Sequence, residues 1–269
     1  LQAAAGTTGG SSGSPVLDIR GKVVALNAGS RRDSSASFYL PLHRVARALA
    51  LIQAGQPVAR GSVHAVWRST PWEELQRLGL LSTTESAARK RNPDATGLLV
   101  VREVLPGGPA YGILEVGDIV VGLEGTPLDG FPRLEAALDD HVGGVVKLSL
   151  ERAGTPLEVS LPVADLHADT PSSYLEIGGD VLHDLSYQQA RNNLLPVKGV
   201  YVASSGYALR HGGVPRDARI DNVAGEDTPN LAALEAILNT LPANARVPVR
   251  FVALDEPNRP RVASWKVER

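Results

Sequence analysis

The chain has 269 residues, 43% of them hydrophobic, with 27 Lys and Arg against 29 Asp and Glu and a formal net charge of −2. That is room for two or three domains with packed cores, and the charge balance gives no basic footprint for nucleic acid and no membrane-surface partner. With no cysteine, disulfides, thiol catalysis and Cys-ligated zinc are excluded, and no apolar run has the length of a transmembrane span.

The first informative stretch is Gly6-Thr-Thr-Gly-Gly-Ser-Ser-Gly-Ser-Pro-Val16. Within it, Gly10-Ser11-Ser12-Gly13-Ser14-Pro15 has the form Gly-x-Ser-Gly-x-Pro. A serine nucleophile needs this shape. Gly10 lets the N–H groups of Gly10 and Ser12 converge on the oxyanion of a tetrahedral intermediate, usually the largest single contribution to acyl transfer. Ser12 Oγ is then the attacking atom, and Gly13 leaves room for a substrate backbone. A Gly/Ser cluster also reads as a flexible loop, and spacing alone leaves both readings open.

Arg20-Gly21-Lys22 is a tight turn, Val23–Ser30 a strand ending in small residues, and Ser37–Leu40 a second strand. Pro41 opens a helix with Val45, Ala48, Leu49 and Ile52 on one face. Loop, hairpin, strand and closing helix in this order form the end of a trypsin-like second barrel. Here the chain resembles the HtrA (DegP-type) serine proteases. It is most similar to their nuclear branch in fungi and plants, the "nuclear mediator of apoptosis" proteases, where Gly-Gly-Ser-Ser-Gly-Ser-Pro-Val and Val-Ala-Leu-Asn-Ala-Gly recur almost as here.

The resemblance implies Ser12 as nucleophile and Gly10 in the oxyanion hole, with Thr7, Asn27, Ala28 and Gly29 binding substrate. Gly6 and Thr7, near the base of the specificity pocket, carry no charge and imply a small-to-medium apolar side chain there. Ser11 stands where secreted trypsin relatives carry an Asp that pairs with a freed N-terminus, so activation by N-terminal cleavage is not expected. Ser14 stands where most HtrA proteins have a second Gly. In the trypsin order the base His and its Asp precede the nucleophile. The six histidines (His43, His64, His141, His167, His183 and His211) all follow it and read as surface or structural. A start so close to the nucleophile, with no Met in the chain, gives the expectation of a piece of a longer protein, inert by itself.

Beyond a linker at Gln56–Gly61, Ser62–Trp67 alternates like an edge strand. Pro71–Leu78 is a short helix with Trp72, Leu75 and Leu78 inward, closed by Gly79. Arg89-Lys90-Arg91 reads as a solvated helix end. Gly97–Leu105 is a buried strand, and Gly117-Asp118-Ile119 followed by Glu124-Gly125-Thr126-Pro127 resembles the hallmark of a PDZ domain. A helix with Phe131, Leu134, Ala137 and Leu138 follows, then a hairpin turning at Ala153-Gly154. The pattern repeats from Tyr174: Leu175–Val181 is strand-like, Ser186 caps a helix, Gly199–Ala203 is a buried strand, and Gly225 and Leu234 echo Gly125 and Leu134.

The sequence thus predicts a mainly β protein with short helices. It holds the C-terminal part of a trypsin-like barrel (1–57) and two tandem PDZ-like domains (58–168 and 169–269). PDZ domains add a peptide strand beside a helix and catch its terminal carboxylate on backbone N–H groups. The expected peptide-binding residues are Val63, His64, Leu134 and Leu138 in the first domain. In the second they are Ile177, Gly178, Gly179, Val181, Leu234 and Leu238, with Asp180 set to repel a carboxylate. His64 falls where the usual motif has Gly, and its side chain obstructs such an approach.

By resemblance, the function is that of an ATP-independent serine endopeptidase acting on protein or peptide substrates. It needs no cofactor or metal, is homo-oligomeric, binds neither nucleic acid nor membrane, and acts in the nucleus and cytoplasm in apoptosis and protein quality control. The alternative is a non-proteolytic PDZ scaffold or holdase.

Overall fold

A computed structural model describes residues 2–4, 10–30 and 36–267, and it is mainly β with short helices, as predicted. The chain divides into two compact units, Leu1–Ala59 and Arg60–Arg269.

The first unit is an antiparallel sheet of β1 (Gln2–Ala4), β2 (Pro15–Leu17), β3 (Val23–Ser30) and β4 (Ala36–Pro41), in the order β1-β4-β3-β2. The Asp18 carboxylate makes the predicted turn by accepting the N–H groups of Arg20 and Lys22. A bulge between Asn27 and Gly29 breaks the β3–β4 register. Helix α1 (Leu42–Gln53) begins after Pro41 and touches β3 and β4. Its apolar stripe is not a core: none of its residues is buried, and Leu49 and Ile52 are exposed.

The second unit begins with β5 (Gly61–Ser62) and β6 (Ala65–Pro71). The single strand expected over 62–67 is interrupted because His64 takes a left-handed φ of 55°, which ends one strand and restarts the next. Then come α2 (Trp72–Arg77), α3 (Ser82–Arg91), β7 (Gly97–Val104), β8 (Ile119–Leu123), β9 (Thr126–Pro127), α4 (Phe131–Asp140), β10 (Val145–Arg152) and β11 (Thr155–Pro162). The main sheet runs β11-β10-β8-β7-β6. Strand β7 reads as an unbroken apolar run because both faces are covered. Leu98 and Val100 pack with Trp72, Leu75 and Ala88, while Leu99 and Val101 pack with Leu134 and Leu138. The Asp118 of the PDZ-like turn is buried, and Arg152 grips both its oxygens at 2.7 and 2.8 Å.

A short strand β12 (Ala164–Asp165) pairs with β5. The second half then holds β13 (Leu175–Ile177), β14 (Asp180–Asp184), α5 (Tyr187–Asn192), β15 (Val200–Ser204), α6 (Tyr207–Gly212), β16 (Ala218–Val223), β17 (Glu226–Asp227), α7 (Leu231–Thr240), β18 (Arg246–Ala253) and β19 (Arg261–Lys266). Ser186 caps α5 as expected, within a capping box completed by Gln189. The sheet runs β13-β14-β15-β16-β18-β19. The strand expected over 175–181 is a hairpin, since Gly178 and Gly179 have φ of 57° and 79°, the two left-handed residues of a type I′ turn. The echo between the halves is structural: Glu124-Gly125 and Ala224-Gly225 are matching left-handed turns after β8 and β16.

Both halves share an apolar seam in which Val66 and Leu105 meet Leu185, Ala190, Leu195, Tyr201 and Leu254. Burial, and then a hydrogen bond to the Asp217 carboxylate, push the Tyr201 phenol above its usual value of 10.0. A raised phenol favours the neutral folded form, so its contribution is complete below about pH 10 and is lost as pH rises through the folded value. Tyr201→Phe should therefore flatten the fall in urea-unfolding stability above pH 10; an alkaline limb as steep as in the parent would refute this.

Candidate functional site

The Gly10–Ser14 loop leads into β2 and is tied to β3. Ser14 N–H donates to Ser11 O at 3.2 Å, closing a turn in which Gly13, with φ of 82°, takes the third position. That is the place type II turns reserve for Gly. Gly10 also has a positive φ, of 95°. Ser12 is exposed, and among the described residues neither its N–H and Oγ nor the Gly10 N–H has a hydrogen-bond partner. Two free backbone donors thus flank a free hydroxyl, which is what acyl transfer requires of a nucleophile loop.

Of the expected substrate residues, Ala28 is exposed and Gly29 half-buried at the bulge. Asn27 is buried and turned onto the loop, its amide nitrogen donating to Ser11 O at 2.9 Å and to Ser11 Oγ at 3.0 Å. Gly6 and Thr7 lie outside the described residues.

In the first half of the second unit, the expected groove residues are interior. Val63, Leu134 and Leu138 belong to the sheet core, and His64 is buried. His64 Nε2 lies 2.8 Å from Asp169 Oδ2, and its ring packs 5.2 Å from that of Tyr187. It therefore faces the segment between β12 and β13, and α5, instead of a ligand path. The backbone just ahead of Val63 is also engaged. Asp139 Oδ1 accepts the Gly61 N–H at 2.9 Å, while Asp139 Oδ2 accepts from Arg60 Nη1 at 3.0 Å. Beside them, β12 lies along β5, and Leu166 N–H donates to Arg60 O at 2.9 Å. Close approach to α4 needs Gly61, because a Cβ there would sit 1.9 Å from Leu138 O. Asp139, in the last turn of α4, sits where the helix dipole disfavours an anion; the Arg60 guanidinium and the Gly61 N–H compensate.

In the second half, Leu234 and Leu238 are core residues with Leu182, Ile177, Gly178 and Val181 are half-buried, and Gly179 is exposed at the hairpin tip. Asp180 is fully buried and points inward. Its oxygens accept the N–H groups of Gly206 at 2.6 Å and Leu209 at 3.2 Å. It anchors the start of α6, a role the sequence reading missed because α6 is too short to announce itself by periodicity. Asp184 likewise accepts from Leu231 N at the start of α7 at 2.5 Å. The nearest cavity, about 260 Å³ and polar, opens there between Asp184, Lys198 and Asn230.

His141, His183 and His211 each place Nδ1 within 2.9 Å of a backbone carbonyl, those of Ala137, Asp184 and Tyr207. Among the described residues no cluster of His, Asp or Glu could hold a metal ion, and no helix is long and apolar enough to cross a membrane.

The family described as "PDZ-like domain" matches residues 168–244. "Protease Do-like 7" of Arabidopsis thaliana is 47% identical over 270 residues, covering 96% of this chain and 25% of that protein. The "Pro-apoptotic serine protease NMA111" of Candida glabrata is 40% identical over 270 residues, covering 100% of this chain and 28% of that one. Among solved structures, "HtrA-type protease AlgW with tripeptide" is 21% identical with a TM-score of 0.38, covering 61% of this chain and 52% of the other. Over nearly its whole length the chain is thus similar to one part of these two proteases. It spans about a quarter of the length of the curated relatives it matches.

The Asp139 contact is testable by itself. A hydrogen bond to a charged group contributes about 1.5–3 kcal/mol, so Asp139→Ala should raise amide exchange at Gly61 by about tenfold or more at unchanged secondary structure. Unaltered protection of Gly61 would show that Asp139 does not hold this loop.

Proposed function

We propose that this chain is the nucleophile-bearing part of an HtrA-type serine endopeptidase that works without ATP or a metal. Residues 1–57 are the C-terminal part of its barrel, and 58–168 and 169–269 are PDZ-like domains. The observation that carries this is the exposed Ser12, with the N–H groups of Gly10 and Ser12 beside it unpaired among the described residues. Ser12 Oγ attacks the scissile carbonyl carbon while the two N–H groups receive the oxyanion. A His from the rest of the protease takes the hydroxyl proton and passes it to the leaving amine, and water then releases the acyl group. His64, His141, His183 and His211 are committed to Asp169 and to backbone carbonyls, which fits a base supplied from elsewhere. By itself this chain is therefore inert.

A fluorophosphonate probe should label the longer protease at Ser12. Ser12→Ala should abolish both labelling and proteolysis, labelling should persist in Ser14→Ala, and the 269-residue chain should stay unlabelled. Labelling at Ser14, or proteolysis surviving Ser12→Ala, would refute the assignment.

The PDZ-like domains bind peptide or protein segments and regulate the barrel, in a homo-oligomer acting in the nucleus and cytoplasm in programmed cell death and protein quality control. A second reading, a non-proteolytic scaffold or holdase, draws support from the burial of the expected groove residues and from the shared seam. Because Asp139 occupies the Gly61 donor and Asp180 the Gly206 donor, the binding we propose takes internal segments. Free-acid and amidated forms of one peptide should then bind within about twofold of each other. A tenfold preference for the free acid, about 1.4 kcal/mol, would mean that a carboxylate loop is open, and no binding of either would favour the scaffold.

A further inference from the structure

Asn27 in β3 reaches the nucleophile loop with its side chain, and it does so from a buried position, 7% exposed. Its contacts bracket Ser12 on both sides. Upstream, Nδ2 donates to Ser11 O at 2.9 Å and to Ser11 Oγ at 3.0 Å. Downstream, its carbonyl accepts the Gly13 N–H at 2.8 Å and its own N–H donates to Ser14 O at 2.9 Å. Ser12, between these anchors, is the residue left without a bond. The loop is thereby fixed at Ser11, Gly13 and Ser14 while the reacting atoms stay available.

Two features argue that this clamp serves the site more than the fold. The Asn27 Oδ1 is buried without a hydrogen-bond partner, a costly state that folded proteins rarely keep without a reason. A β-bulge follows immediately, between Asn27 and Gly29; such irregularities re-aim side chains next to active sites. The amide is also the right chemistry: it supplies two N–H donors without bringing a charge, whereas a carboxylate would donate nothing and would repel a developing oxyanion.

We propose that Asn27 is the positioning residue for Ser12, setting the register of the hydroxyl against the Gly10 and Ser12 N–H groups. This rests on the reading of Ser12 as nucleophile. Loss of the clamp should damage the transition state more than ground-state binding. A displacement of about 1 Å in a catalytic group costs about a hundredfold in rate.

The test uses the longer protease with Asn27→Ala and Asn27→Asp, and with Ser12→Ala in parallel. Expected are a kcat lower by about a hundredfold, a KM within about threefold, an equally slowed rate of fluorophosphonate labelling, and a melting temperature close to the parent's. Asn27→Asp should lower kcat further than Asn27→Ala and move the acid limb of the kcat/KM profile to higher pH, since an added carboxylate favours the protonated base. If either variant fails to fold, Asn27→Ser, which keeps one short donor, supplies the same measurements. A kcat within threefold of the parent, or a loss confined to KM, overturns the proposal. If Ser12→Ala remains active, the nucleophile reading itself falls; if Ser12→Ala is inactive and the Asn27 variants are not impaired, only the clamp falls.

Discussion

The contact that holds the start of the second unit is the Asp139 carboxylate against the Gly61 N–H and the Arg60 guanidinium. It is buried, and it brings β5 so close to α4 that only glycine fits at position 61. From that anchor the chain continues into the left-handed His64, whose ring reaches Asp169, while β12 lies down along β5. The segment between β12 and β13 is thereby fixed at Leu166, Asp169 and the start of α5. The apolar seam between the halves can then close behind it. A carboxylate desolvated to this extent is tolerable only because both its oxygens have donors.

Asp180 solves a related problem in the second half. It too is a buried carboxylate on backbone N–H groups, here those opening α6. In both halves a side chain of the chain itself occupies the sort of donor that PDZ domains hold out to a peptide terminus. The first half adds a strand of its own beside that donor, and the second adds β13 alongside β14.

Periodicity made much of the architecture legible. Val23–Ser30, Gly97–Val104 and the stripes of Leu134/Leu138 and Leu234/Leu238 announce their elements, and the turn residues at Ala153-Gly154 and Gly79 fall where backbone sterics demand them. Three things were not legible. The alternation of 62–67 hides a break that depends on the backbone conformation of His64, which no side-chain pattern encodes. Apolar residues on both sides of Gly178-Gly179 read as one strand until the turn is seen to fold them back. The partners of Asp139, Asp180 and Asn27 lie far along the chain, from 16 residues for Asn27 to 78 for Asp139, and composition carries no record of such pairings. The loop around Ser12 was readable because its chemistry is local: glycine freedom and a hydroxyl within a few residues.

The segment between β12 and β13 limits how this protein can change over time. Its residues are pinned to the first half through Ala164, Asp165 and Leu166 and to the second through Asp169, whose carbonyl meets the Tyr187 N–H. Connectors usually tolerate insertions and deletions because nothing holds their backbone. Here a gain or loss of one residue would shift β12 out of register with β5 or pull Asp169 from His64. Inheritance should therefore preserve the length of this stretch more strictly than the identity of its exposed side chains, and natural variation in domain spacing would have to be sought elsewhere in the chain.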